Sequence, residues 1–229
     1  MNGSRQLVLL VLVLVLFLSS CISYRERRLR EFSSSPLTGM VYDGEQKPCA
    51  GALITVDGQE GPTTDINGRF VIDGLKRGDH LIVVKKEGFE TLEVPLSFVD
   101  RTQVLYLRVV SHGQLLREAE EALDRRKFQV ADGLLRRAEA LDPEDPVGLY
   151  LRAVYFLKLD DTTQAIGLLQ RILVRGQRAP AVLLSLADVY QYRLQDTAQA
   201  MSYLREYLRT EDDPDVRARL VELESQPTP

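Results

Sequence analysis

The sequence predicts two folded parts in series, an all-β sandwich followed by an all-α solenoid of paired helices. Three observations carry this. Between Thr38 and Val109, short runs alternate polar and apolar residues and are broken by Gly, Pro, Asp and Asn, the pattern of half-buried strands. Near His112 the apolar period changes from two residues to that of an amphipathic helix. Beyond it the text repeats: Ala119, Ala153 and Ala187 recur every 34 residues, and Ala131, Ala165 and Ala200 recur after 34 and then 35. A fixed period of this length is the mark of a repeat array.

The chain begins with an unbroken apolar run, Leu7 to Leu18, preceded by Arg5. It is too short for a bilayer span, which takes roughly 20 residues, and has the length of a secretory signal core. Leu18-Ser19-Ser20-Cys21 follows directly and resembles the lipobox of bacterial lipoprotein precursors. The resemblance implies that residues 1–20 are cut away, a diacylglycerol is attached to the Cys21 sulfur, and the new amino terminus is acylated. An uncleaved anchor and a plain secretory signal are the alternatives. Several acyl chains hold firmly, because each buried CH₂ contributes about 0.8 kcal/mol. Ile22 and Ser23 stand where Asp retains lipoproteins of enteric bacteria at the inner membrane, so the resemblance points to the outer membrane of the cell envelope. Residues 21–35 read as a polar tether, RERRLRE and then a serine run without apolar periodicity. Its basic residues also suit anionic headgroups. With Cys21 lipidated, Cys49 has no intramolecular partner and no disulfide framework is expected.

Over residues 36–110 the candidate strands are 38–42, 52–56, 69–72, 80–85, 91–95 and 103–109. Asp43-Gly44, Asp57-Gly58, Asn67-Gly68, Asp73-Gly74, Arg77-Gly78 and Glu87-Gly88 punctuate them as turns. Asn67-Gly68 is expected to supply the positive φ values of a tight hairpin, with Phe70 pointing between the sheets. Gly39-Met40-Val41, Pro48 before Gly51-Ala52, Thr64-Asp65-Ile66-Asn67-Gly68-Arg69-Phe70 and Lys86-Glu87-Gly88-Phe89 stand in this order. Together they resemble the carboxypeptidase regulatory-like family, which implies a seven-stranded, transthyretin-like sandwich and an accessory rather than catalytic module. Asp65, Asn67 and Asp73 invite a calcium reading, but the bidentate carboxylate that closes such a loop is missing, and a turn explains them better. His80 and His112, the two histidines, have no carboxylate in metal-ligand spacing. Cys49 reads as a small core or edge residue, with a reactive thiol as the alternative.

Residues 112–225 resemble three tetratricopeptide repeats, about 112–145, 146–179 and 180–213, closed by a capping helix. The alanines fall where the two helices of a unit cross and a larger side chain would part them. Leu135, Leu169 and Leu204 fall at the large core position of the second helix, and the one-residue insertion of the third unit falls within Tyr192–Gln195. Asp145-Pro146 and Asp213-Pro214 read as helix starts. By resemblance, the first helices line a groove for peptide segments. Mapped onto this chain, that groove takes Leu116, Glu120, Leu123 and Asp124, then Tyr150, Val154, Leu157 and Lys158, then Leu184, Asp188, Gln191 and Tyr192. For the leucines, packing between helices is the competing reading.

A net charge of −4 lacks the basic face that replaces phosphate counterions, so nucleic acid is not an expected partner. No nucleophile and base, paired carboxylates or metal cluster stands out, so neither an enzyme nor a cofactor beyond the lipid is expected. The expected function is a lipid-anchored scaffold for envelope proteins or peptide segments. The alternative is a glycan- or peptidoglycan-binding accessory protein. Against it, Trp is absent and the sandwich holds only Tyr42 and Tyr106.

Overall fold

The computed structural model describes residues 34–174 and 179–225. The signal segment, Cys21 and all but the end of the expected tether lie outside the described residues. Two compact units divide between Val110 and Ser111.

The first unit has seven strands: β1 Ser34–Tyr42, β2 Leu53–Val56, β3 Gln59–Thr63, β4 Arg69–Lys76, β5 Gly78–Lys85, β6 Leu92–Phe98 and β7 Val104–Arg108. They form two sheets, ordered β4-β1-β7 and β3-β2-β5-β6. β1 runs parallel to β7 and antiparallel to β4. Alternation turns one face of each sheet inward. Leu37, Val41, Phe70, Ile72 and Leu107 from one meet Ile54, Ile82, Val84, Leu96 and Phe98 from the other in one core, which also holds Cys49.

Several local expectations change. Ser34 and Ser35, expected in the tether, pair with Lys76 and Leu75 at the start of β1. β3 was not expected, because Gly61 and Pro62 disfavour strands; it survives as an exposed edge that pairs only with β2. Asp73-Gly74, expected as a turn, is an irregularity inside β4, where the register slips and Gly74 takes a φ of 67°.

Asn67-Gly68 is not a hairpin either. Residues 64–68 cross from β3 in one sheet to β4 in the other, and only Gly68 has a positive φ, 73°. The Asp65 carboxylate closes the loop, accepting from the Asn67 and Arg69 amides at 2.8 Å each. The buried Thr64 hydroxyl accepts from the Ala52 amide at 2.8 Å and donates to the Cys49 carbonyl at 2.7 Å. A Cβ on Gly68 would stand 2.3 Å from the Val41 carbonyl oxygen, so glycine is required twice over.

The second unit has seven helices among the described residues: α1 His112–Asp124, α2 Phe128–Leu141, α3 Pro146–Lys158, α4 Thr162–Val174, α5 Pro180–Asp188, α6 Thr197–Tyr207 and α7 Pro214–Ser225. α1 packs on α2, α3 on α4 and α5 on α6, a tetratricopeptide-like solenoid of helix pairs. All six register alanines are fully buried, as are Leu135, Leu169 and Leu204. Asp145 caps α3 by accepting from the Gly148 amide at 2.7 Å, with Pro146 in the first turn. Asp213 does the same for α7, accepting from Val216 at 3.2 Å. The extra residue of the third unit is absorbed as a π-turn, Val189–Arg193, which begins ahead of the expected stretch. Its signature is the Leu194 amide donating to the Val189 carbonyl at 3.1 Å.

Candidate functional site

The first helices of successive pairs lie side by side. A Cβ on Gly148 of α3 would come within 3.6 Å of a Leu116 methyl on α1. The Tyr150 hydroxyl of α3 lies 3.2 Å from the Ser185 hydroxyl of α5. α7 continues the row beyond α5.

The expected groove residues divide by burial. Leu116 and Leu123 are buried and serve helix packing, which corrects their assignment to an open groove. Val154, Leu157, Tyr150 and Leu184 are half-buried, and the last three also pack on the unit's core clusters. Glu120, Asp124 and Lys158 are exposed, and none of their side chains makes a hydrogen bond or ion pair with any described residue.

Asp188, Gln191 and Tyr192 are brought together by a residue the sequence reading did not single out. Arg219 of α7 meets the Asp188 carboxylate at 2.7 Å. It donates to the Gln191 side-chain oxygen at 2.8 Å through Nε and at 2.5 Å through a terminal nitrogen. Its guanidinium also stands 5.2 Å from the Tyr192 ring centroid. The π-turn carries Gln191 and Tyr192, so the inserted residue shapes this cradle. The Asp188 carboxylate is therefore already paired from within the array. The sequence signal was faint: one of two arginines on a helix of mixed charge.

A second constellation lies where α2, α3 and α4 meet, around a cleft of about 530 Å³ that includes Arg152, Tyr155, Phe156 and Arg171. Arg152 is buried, yet it grips Glu139 with two nitrogens at 2.6 and 3.0 Å and Asp132 with a third at 2.6 Å. Burial alone would lower its pKa, but Glu139 and Asp132 outweigh that and hold it high. Arg171 pairs with Glu144, and Arg136 with Asp132 at 2.8 Å. The cleft's arginines satisfy its acids, so it is a structural lock between the first two repeats. An arginine inside the apolar stretch of α3 was the available signal.

In the first unit, His80 has a carboxylate partner after all, one that folding brings from 23 positions away. Its Nδ1 lies 2.7 Å from an Asp57 oxygen and its Nε2 lies 2.8 Å from the Lys76 carbonyl. Both neighbours are acceptors, an arrangement that favours a ring with a proton on each nitrogen, the imidazolium form. The hydrogen bond to the Asp57 carboxylate raises the His80 pKa above its ordinary value, and His80 in turn lowers that of Asp57. The Asp57 carboxylate also accepts from the Leu81 amide at 2.8 Å. This is a strand clasp; no cluster of three metal-ligating side chains occurs among the described residues. The Cys49 sulfur is buried and accepts from the Lys86 ammonium at 3.6 Å.

Residues 36–110 match the carboxypeptidase regulatory-like domain family. Among solved structures, the chain is similar to the N-terminal domain of stress-induced protein-1 from C. elegans. They share 16% identity with a TM-score of 0.44, over 50% of this chain and 94% of that one. It is also similar to the Arabidopsis OM64 TPR domain, at 15% identity and a TM-score of 0.45, over 51% of this chain and 96% of that one. A streptococcal ancillary pilin matches at 19% identity and a TM-score of 0.29, over 35% of this chain and 30% of its own. No curated protein matches the sequence.

Proposed function

We propose that this chain is a non-catalytic scaffold of the bacterial cell envelope, anchored by lipid on Cys21, whose repeat array holds a segment of a partner protein on its first-helix face. The observation that carries the reading is the set of unengaged charges on that face. Glu120 and Asp124 of α1 and Lys158 of α3 are exposed and unpaired among the described residues. Half-buried Tyr150, Val154 and Leu157 lie on α3 with Lys158. Charges left free beside apolar side chains suit a docking segment that brings its own counter-charges. The expected segment places a basic residue toward Glu120 and Asp124, an aliphatic or aromatic residue against Tyr150 and Val154, and an acidic residue near Lys158. Arg219 closes the end of this face, so the third pair contributes through Leu184 more than through Asp188.

The anchor rests on the Leu18-Ser19-Ser20-Cys21 sequence, and Ile22-Ser23 favours the outer membrane. Crosslinking in cells followed by purification tests the scaffold. Defined envelope proteins should be recovered with the intact chain and lost when Glu120, Asp124 and Lys158 are replaced by Ala together. An unchanged set of captured proteins would refute the assignment. Incorporation of radioactive fatty acid, abolished by Cys21→Ser, tests the anchor; labelling that persists in the variant would refute it.

A further inference from the structure

The outer face of the three-stranded sheet carries chemistry that the repeat array does not use. Alternation leaves Thr38, Met40 and Tyr42 of β1 on that face, with Arg69 and Val71 of β4 and Val104, Tyr106 and Arg108 of β7. Register fixes the neighbours: Arg69, Met40 and Tyr106 share one row, and Tyr42 and Arg108 share another. The sandwich's two tyrosines are therefore diagonal neighbours on adjacent parallel strands. Their Cα atoms lie roughly 8 Å apart, given the spacing and rise of strands. Tyr106 is 65% exposed.

Two arginines frame this pair. The Arg69 guanidinium makes no hydrogen bond or ion pair with any described residue. Among the described residues, that of Arg108 donates only to the Gly44 carbonyl, at 3.3 Å. By contrast Arg136, Arg152, Arg193 and Arg205 each meet a carboxylate. The Arg69 and Arg108 Cα atoms stand at opposite corners, roughly 12 Å apart, a span comparable to a disaccharide.

We propose that this face binds an anionic polysaccharide strand of the uronate type. Sugar rings lie on Tyr42 and Tyr106, whose flat aromatic faces offer apolar contact beside a polar hydroxyl. Carboxylates of the strand meet Arg69 and Arg108, where guanidinium geometry favours paired hydrogen bonds. A neutral glycan leaves both guanidiniums without a counter-charge, and so does an apolar protein surface.

The test is native electrophoresis of the full chain in gels containing polygalacturonate, with its methyl ester as the control that keeps the rings and removes the free carboxylates. Polygalacturonate should retard the chain and the ester should not. Tyr106→Ala, and Arg69→Gln together with Arg108→Gln, should each weaken binding at least ten-fold, whereas Tyr106→Phe should retain it. Thermal unfolding of each variant confirms that it folds. Absence of retardation, equal retardation by the ester, or full binding by folded Tyr106→Ala would overturn the proposal. So would self-association lost in Tyr106→Ala without any saccharide binding, since the face would then serve a second copy of the chain.

Discussion

Arg219 and Asp188 meet at 2.7 Å across the last two first-position helices. With Gln191 and Tyr192 this contact gives one guanidinium a carboxylate, an amide oxygen and an aromatic face. Arg219 should therefore fasten α7 to the array. Arg219→Gln is expected to lower the unfolding free energy by about 1 kcal/mol or less, because the Asp188 partner is half exposed. Hydrogen exchange should show the loss concentrated in α7 amides, and uniform protection across the helical unit in the variant would count against the contact.

Arg152 is a different case, because its side chain is buried and its two acids face it. Arg152→Leu leaves Asp132 and Glu139 without their shared cation and should cost about 3 kcal/mol by urea unfolding. Adding Glu139→Gln should recover part of that loss by removing one orphaned charge. If the double variant is no more stable than the single one, the lock is not electrostatic.

Gly39 faces Phe70 across β1 and β4. A Cβ there would stand 2.3 Å from the tip of the Phe70 ring, and neither backbone has room to retreat within a paired sheet. Gly39→Ala should destabilise the sandwich by about 1–3 kcal/mol. Combining it with Phe70→Leu should give less than the sum of the two separate losses; simple additivity in a double-mutant cycle would show that the ring is not the obstacle.

The His80–Asp57 clasp makes stability depend on pH. The His80 pKa is raised by the Asp57 hydrogen bond, so the folded state holds its proton more tightly than the unfolded chain does. Its stabilisation is fully present below the ordinary histidine value of about 6.5 and is lost as pH rises through the higher folded value. Proton resonances of the His80 ring should titrate above that ordinary value, and Asp57→Asn should bring the midpoint down. A midpoint at or below the ordinary value in the parent chain would show that the clasp does not hold the ring charged.

Much of the fold was legible because short motifs and a fixed repeat mark it in the sequence. The alanine register marked the helix crossings, and each alanine is fully buried. Thr64, Asp65, Gly68 and Phe70 stand in one short motif, although only Asp65 acts within it, closing the loop; the Thr64 hydroxyl, Gly68 and the Phe70 ring reach Cys49, Val41 and Gly39. What escaped was set by distant contact. β3 carries Gly61 and Pro62 and exists only through β2; His80 finds Asp57 only once β2 and β5 pair; Arg219 finds Asp188 only once the array has stacked. The groove assignment suffered in the same way, since Leu116 and Glu120 occupy equivalent helical faces and only packing decides which is covered.

The scaffold account is tested most directly by a photo-reactive amino acid placed in living cells at Lys158, exposed on the first-helix face, and at Gln129, exposed on α2. The account predicts a discrete crosslinked species from Lys158 that is absent from Gln129 and disappears when Glu120 and Asp124 are both replaced by Ala. The same species from both positions, or one from Lys158 that is indifferent to Glu120 and Asp124, would contradict it.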